Sequence, residues 1–117
     1  VECPRVPGLS ARQCESLAAL ALPPSPPPAR GNRVADDERA ALFGFELFFD
    51  ARLSRDGTVR CASCHLPERV FGDGRATSQG LVAVDRNSPS LYGAAWHRWQ
   101  MWDGRADSLW SQPLLAF

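Results

Sequence analysis

The chain has 117 residues, 44% of them hydrophobic and 22% charged, and its 13 arginines balance 13 acidic residues. This predicts one small folded domain whose modest core is commonly completed by a disulfide, a metal or a cofactor. The scattered arginines and zero net charge argue against nucleic-acid binding. No apolar run approaches the roughly 20 residues that a membrane-spanning helix needs.

The N-terminal segment contains two of the four cysteines. The chain begins with Val1 rather than Met, as exported proteins do after removal of a signal peptide. In an oxidising compartment Cys3 and Cys14 would form a disulfide, and two free thiols are the alternative. Closing so short a loop would contribute about 3 kcal/mol. Residues 1–35 are therefore expected to form a disulfide-pinned extension.

Residues 10–49 predict two helices separated by a linker. The first is expected from Ser10 to Leu22, and the proline-rich stretch from Pro23 to Pro28 favours a stiff, extended conformation that lies along a surface. The main domain is expected over 36–117. It opens with acidic residues suited to a helix N-terminus, and the apolar residues up to Phe49 predict a helix buried over much of its surface.

The rest of the chain predicts loops and short helices. Turn signals occur at 55–57 and 71–74. Helix-initiating residues at 87–90 and 107–108 predict helices from Leu91 to Trp96 and from Leu109 to Phe117. Only 80–84 resembles a strand. The fold class is therefore mainly α, with long ordered loops.

The motif Cys61-Ala62-Ser63-Cys64-His65 is the strongest functional signal in the sequence. Thiols separated by two residues can add across the two vinyl groups of a porphyrin, and the histidine that follows is carried beneath the ring to bind its iron. Cys61 and Cys64 are therefore predicted to attach a c-type haem covalently, with His65 as an axial iron ligand.

Two other interpretations of this motif are weaker. A zinc site needs four ligands, and only Cys3, Cys14 and His97 remain to complete one. A dithiol redox pair normally lies in a βαβ context that this sequence lacks.

The sixth ligand decides whether a haem transfers electrons or activates peroxide. Met101 and His97 are the candidates, but a lone methionine or histidine more often has a packing or hydrogen-bonding role. An open iron is therefore favoured. The four tryptophans at 96, 99, 102 and 110 predict a core cluster, although an indole beside a haem could also relay an electron.

Blocks of residues from Ala41 to Gln112 resemble the bacterial di-haem cytochrome c peroxidase and MauG family. In order, they are 47–54, 56–58, the Cys-x-x-Cys-His motif at 61–65, Asp-Gly-Arg at 73–75, Arg-Asn-Ser-Pro-Ser-Leu at 86–91 and Trp-Asp-Gly-Arg-Ala-Asp-Ser-Leu at 102–109. The resemblance implies a cytochrome c-like domain that is the first of two. The second haem domain would lie beyond this chain.

The resemblance also implies roles for individual residues. His65 would be the proximal ligand of the peroxide-reactive haem, and Trp102 would relay electrons between the two haems. Asn87 would help bind a calcium ion at the domain interface, and Gln112 would belong to the distal pocket. The carboxylate that assists peroxide cleavage in the family would lie beyond Phe117.

Two departures refine the expected function. Peroxidases that need reductive activation carry a histidine in the loop equivalent to 77–85, which has none here. This favours a periplasmic MauG-like or MbnH-like enzyme that uses hydrogen peroxide to oxidise tryptophan in a partner protein. The alternatives are a peroxidase served by a small cytochrome or copper protein, and a single-haem electron carrier.

The second departure is Pro113-Leu114, where the family commonly has Gly-Pro.

Overall fold

The computed structural model describes residues 7–116, in which short helices are joined by long loops. The α-helices are α1 (Ala11–Ala19), α2 (Glu38–Phe49) and the single turn α3 (Cys61–Cys64). The 3-10 turns are Ala51–Leu53, Pro67–Arg69, Ala94–Trp96 and Pro113–Leu115. The predicted class of helices with long loops is confirmed over this range. Cys3 lies outside the described residues, so its pairing with Cys14 stays a prediction.

Helix α1 begins where the sequence predicts and ends earlier. The Ser10 hydroxyl accepts the Gln13 N–H at 3.4 Å, and the Gln13 side-chain oxygen accepts the Ser10 N–H at 2.8 Å. This reciprocal capping satisfies two of the amides left unpaired at a helix N-terminus. The helix ends at Ala19 rather than at Leu22.

The proline-rich linker contacts the rest of the chain at its first residue, Pro23. The Trp96 indole N–H donates to the Pro23 carbonyl at 3.0 Å. Three residues beyond the linker, a Cβ added to Gly31 would lie 3.7 Å from Nε1 of Trp110. These two tryptophans therefore border the linker, and the predicted tryptophan core is wrong: Trp99 and Trp102 are 54% and 60% exposed.

Helix α2 has the predicted N-terminus but not the predicted burial. The Asp37 carboxylate accepts the Arg39 N–H at 2.9 Å and caps the helix. However, Phe43 and Phe45 are 60% and 64% exposed, and no α2 residue is buried. The helix contacts α3, whose four residues are too few to cover twelve.

The two predicted C-terminal helices are wrong and are replaced by 3-10 turns. Gly93 adopts a left-handed φ of 76°, which separates 91–92 from the turn at Ala94–Trp96. Further on, the Ser111 hydroxyl donates to the Asp107 carboxylate at 2.8 Å and stabilises a local turn. Pro113 then starts the last 3-10 turn.

The segment 80–84, which alone resembled a strand in the sequence, does not form one. Gln79 and Ala83 form one isolated antiparallel bridge, and the Gly80 N–H donates to the Val82 carbonyl at 3.2 Å. This is a tight reversal rather than an extended ladder. Within 7–116, no helix has the length and apolar character required to cross a membrane.

The described chain is open and has little core. Its radius of gyration is 17.7 Å, whereas a compact domain of this length has about 13 Å. Its buried hydrophobic residues are Ala62 and Ala106. Larger apolar contacts come from a row of aromatic rings that includes Phe48, Phe71 and Tyr92, with centroid separations of 6.2 and 5.6 Å.

Replacing either of two glycines by alanine is expected to change the free energy of unfolding, with opposite signs at the two positions. Gly57 has a φ of 73° and Gly44 lies inside α2, and at both positions a side-chain methyl would enter open space. Gly57→Ala is expected to lower the free energy of unfolding by about 1 kcal/mol because of the left-handed backbone. Gly44→Ala is expected to raise it by about 0.8 kcal/mol. Denaturant titration of both variants with haem bound measures this, and equal signs would contradict the assigned backbone conformations.

Candidate functional site

Helix α3 brings the two motif cysteines onto one helical turn. Cys61 and Cys64 are its first and last residues, and the His65 N–H donates to the Cys61 carbonyl at 2.9 Å. The two thiols are not joined to each other. Burial raises the pKa of the Cys61 thiol, which therefore stays protonated at neutral pH. Both sulfur atoms thus remain available for another bond.

The His65 ring is oriented by a backbone carbonyl. Its Nδ1 lies 2.9 Å from the Phe71 carbonyl oxygen. Because a carbonyl oxygen only accepts hydrogen bonds, Nδ1 carries the proton and Nε2 of the neutral ring keeps its lone pair. This is the tautomer in which Nε2 can bind a metal, with the orienting contact that metal-binding histidines usually make.

The loop that supplies this carbonyl reverses sharply behind the motif. The Phe71 N–H donates to the Leu66 carbonyl at 2.9 Å, and the Leu66 N–H donates to the Gly72 carbonyl at 3.2 Å. Val70 and Phe71 have φ values of 58° and 56°, which non-glycine residues rarely adopt. The backbone is therefore held in an unfavourable conformation next to His65.

A buried carboxylate lies directly after this loop. Asp73 and Ser78 are each only 5% exposed. Hydrogen bonds from the Ser78 hydroxyl and, second, the Arg75 N–H lower the pKa of Asp73. The Ser78 hydroxyl also lies 2.7 Å from that of Ser88. This network connects the loop to the segment that begins near residue 86.

The structure brings Trp102 and Asn87 together. The Trp102 indole N–H donates to the Asn87 backbone carbonyl at 2.9 Å. Gln112 contacts Met101 instead, its Nε2 lying 3.5 Å from the sulfur. Within 7–116, no hydrogen bond joins Trp102 or Asn87 directly to His65.

Three contributors to the site are absent from the sequence predictions: the Phe71 carbonyl, the Ser90 hydroxyl that bonds to this loop, and the Asp73 carboxylate. The turn signal at 71–74 indicated a tight loop. Nothing in the sequence indicated which carbonyl would face the histidine, because every residue carries one.

Comparison with known proteins defines the class. The family model for di-haem cytochrome c peroxidase matches residues 38–117. The methylamine utilization protein MauG of Methylorubrum extorquens is 44% identical over 84% of this chain and 29% of its own length. Cytochrome-c peroxidase IdrP2 of a Pseudomonas species is 43% identical over 75% of this chain and 23% of its own.

A solved structure gives the same result. The crystal structure of a MauG-like protein associated with microbial copper homeostasis superposes with a TM-score of 0.69 at 39% identity, over 80% of this chain and 30% of that one. The chain belongs to the di-haem cytochrome c peroxidase family, as its sequence motifs predicted. It spans less than a third of the length of each of these relatives.

Membership of this family implies a c-type haem, and the motif geometry fits one. Two unjoined thiols lie at the ends of one helical turn, and the histidine that follows is held through Nδ1, which leaves Nε2 to bind iron. The zinc alternative has no support within the described range, where no three His, Cys, Asp or Glu residues are grouped to hold a metal ion.

The Asp73 network predicts a pH-dependent contribution to stability. Asp73→Asn is expected to lower the free energy of unfolding by about 1 kcal/mol at neutral pH, because a carboxylate accepts these hydrogen bonds more strongly than an amide. Since folding lowers the pKa of Asp73, this difference should be complete above the ordinary value of 3.8 and shrink as the pH falls below it. Denaturant titrations across that range measure it. A difference independent of pH would contradict the assignment.

Proposed function

We propose that this chain is the peroxide-reactive haem domain of a periplasmic MauG-like or MbnH-like oxidase, which oxidises tryptophan side chains of a partner protein through Trp102. Cys61 and Cys64 would attach the haem, and His65 would bind its iron. A haem held there would supply peroxide reduction coupled to one-electron oxidation of its surroundings.

The observation that carries this proposal is the position of Trp102. Its indole is 60% exposed, yet its N–H is anchored at 2.9 Å on the Asn87 carbonyl. A relay needs a fixed ring within reach of a second redox centre or partner. An anchored but accessible indole meets both requirements.

The chain's own residues hold the ring and the ligand in place. The Phe71 carbonyl keeps the proton of His65 on Nδ1, which leaves Nε2 as the donor to iron. Asn87 fixes the Trp102 ring through its backbone, so its side chain remains available for the calcium ion proposed at the interface with a second haem domain. The N-terminal disulfide between Cys3 and Cys14 is part of the same proposal, since it requires an oxidising compartment.

The oxidase is preferred over a peroxidase because of the loop at 77–85. It contains no histidine that could serve as a removable sixth ligand, and it is closed by the bridge between Gln79 and Ala83. Gln112 would contribute to the distal pocket. Its contact with the sulfur of Met101 engages that atom within the protein, which disfavours the single-haem carrier with methionine ligation.

The peroxidase remains a second candidate, supported by relatives of nearly equal identity. The cytochrome-c peroxidase IdrP2 is 43% identical, against 44% for MauG. In that case hydrogen peroxide would be reduced to water with electrons from a small cytochrome or copper protein. Rapid peroxide consumption with such a donor, without side-chain oxidation in a partner, would favour it.

The attachment residues are tested by cysteine replacement. The double variant Cys61→Ser/Cys64→Ser should carry no haem on the peptide that spans 61–65, because both thioether bonds are lost. Peptide mass spectrometry after denaturation measures this. Cys14→Ser is the matched control and should keep the full haem mass on that peptide. Haem retained by the double variant would contradict the assignment.

The relay is tested by Trp102→Phe, which removes the more easily oxidised indole and its bond to Asn87. Peroxide-dependent oxidation of partner tryptophans, followed by peptide mass spectrometry, should fall at least tenfold, about 1.4 kcal/mol in barrier. Haem content should not change. Trp99→Phe is the control, because Trp99 is similarly exposed but stacks with Arg98 instead. Normal oxidation by Trp102→Phe, or an equal loss in the control, would remove Trp102 from the mechanism.

A further inference from the structure

The backbone next to His65 is strained at two consecutive residues. Val70 and Phe71 both lie in the left-handed region, with φ values of 58° and 56°. A β-branched residue and an aromatic residue are unfavourable there, and such conformations persist only where the surroundings enforce them. The carbonyl that faces His65 belongs to the second of these residues.

The carbonyls of this strained pair are fixed by two different side chains. The Phe71 carbonyl accepts from Nδ1 of His65 at 2.9 Å. The Val70 carbonyl accepts from the Ser90 hydroxyl at 2.6 Å, and the same hydroxyl accepts the Tyr92 N–H at 3.1 Å. Ser90 is thereby oriented by its own segment and bonds across 20 residues to the loop.

The bond from Ser90 opposes the motion that would relieve the strain. The strain is relieved when the backbone rotates so that φ of both Val70 and Phe71 becomes negative. That rotation turns the Val70 carbonyl away from Ser90 and the Phe71 N–H away from Leu66, with which it now bonds at 2.9 Å. Because the φ changes at Val70 and Phe71 do not cancel, the Phe71 carbonyl also moves away from His65.

We propose that Ser90 is a positioning residue for the axial histidine: its hydroxyl locks the Val70–Phe71 peptide so that the Phe71 carbonyl stays on Nδ1 of His65. The proposal rests on the proposed role of His65 as a haem ligand. A hydrogen bond at Nδ1 makes the imidazole a stronger donor to iron, which strengthens the bond from iron to histidine and favours the ferric state. Ser90 therefore acts on the haem through the loop that orients His65.

The test compares Ser90→Ala with the wild-type protein, both with haem attached. Two quantities are measured: the iron–histidine stretching frequency in the ferrous resonance Raman spectrum, and the midpoint potential of the haem attached at 61–64. Ser90→Ala is expected to lower the frequency and raise the potential. Ser90→Thr retains a hydroxyl and should keep both near the wild-type values. Ser16→Ala is the matched control, because Ser16 also donates to a backbone carbonyl, at 3.0 Å, but within α1.

A second variant separates lost positioning from lost folding. Adding Val70→Gly to Ser90→Ala should return both quantities toward the wild type, because glycine adopts this left-handed conformation without strain. Unchanged values in Ser90→Ala, or equal shifts in Ser16→Ala, would overturn the proposal. If the wild-type protein shows no iron–histidine stretch, the open sixth position of the proposed function is contradicted. The midpoint potentials of the variants would still decide the role of Ser90.

Discussion

The hydrogen bond between Nδ1 of His65 and the Phe71 carbonyl is the contact on which the candidate site depends. At 2.9 Å it fixes both the tautomer and the direction of the ring. The helical turn before it holds Cys61 and Cys64 on one short element, and the loop after it is bent so that this carbonyl faces back toward the histidine. Without the loop, the two cysteines would keep their place on the helical turn, but the His65 ring would have no fixed orientation.

The segment from Arg86 to Tyr92 connects this contact to the rest of the site. Asn87 holds the Trp102 indole through its carbonyl, and three residues later Ser90 holds the strained loop through its hydroxyl. Between them, Ser88 joins the buried network of Ser78. One stretch thus bonds both to the loop that orients His65 and to Trp102, the proposed relay. It supports two groups that no direct hydrogen bond joins within 7–116.

Features set by neighbouring residues could be predicted from the sequence, whereas burial could not, because the described chain is open and has little core. Local signals were reliable: the helix starts at Ser10 and Asp37 and the turn at Gly57 depend on residues within a few positions of one another. Burial was not predictable in this way. The apolar composition of α2 predicted a buried helix, but burial requires covering elements, and the neighbouring helix α3 has only four residues.

In the C-terminal third and in the candidate site, the structure likewise depends on contacts that the local sequence pattern does not indicate. The helices predicted at 91–96 and 109–117 are replaced by single turns, because a left-handed Gly93 and the side-chain bonds among Asp107, Ser108 and Ser111 compete with helical hydrogen bonding. The bond from Ser90 to Val70 spans 20 residues and ends on a backbone carbonyl. The identity of residue 70 does not indicate such a contact, because every residue has a backbone carbonyl.

We propose that His65 binds the iron of a haem whose opposite face is open to peroxide. Electron paramagnetic resonance of the ferric haem attached at Cys61 and Cys64 tests it most directly, since spin state reports the number of strong axial ligands. We expect a high-spin signal that His65→Ala abolishes or alters. A low-spin, six-coordinate haem at this position in both the ferric and the ferrous states would contradict it.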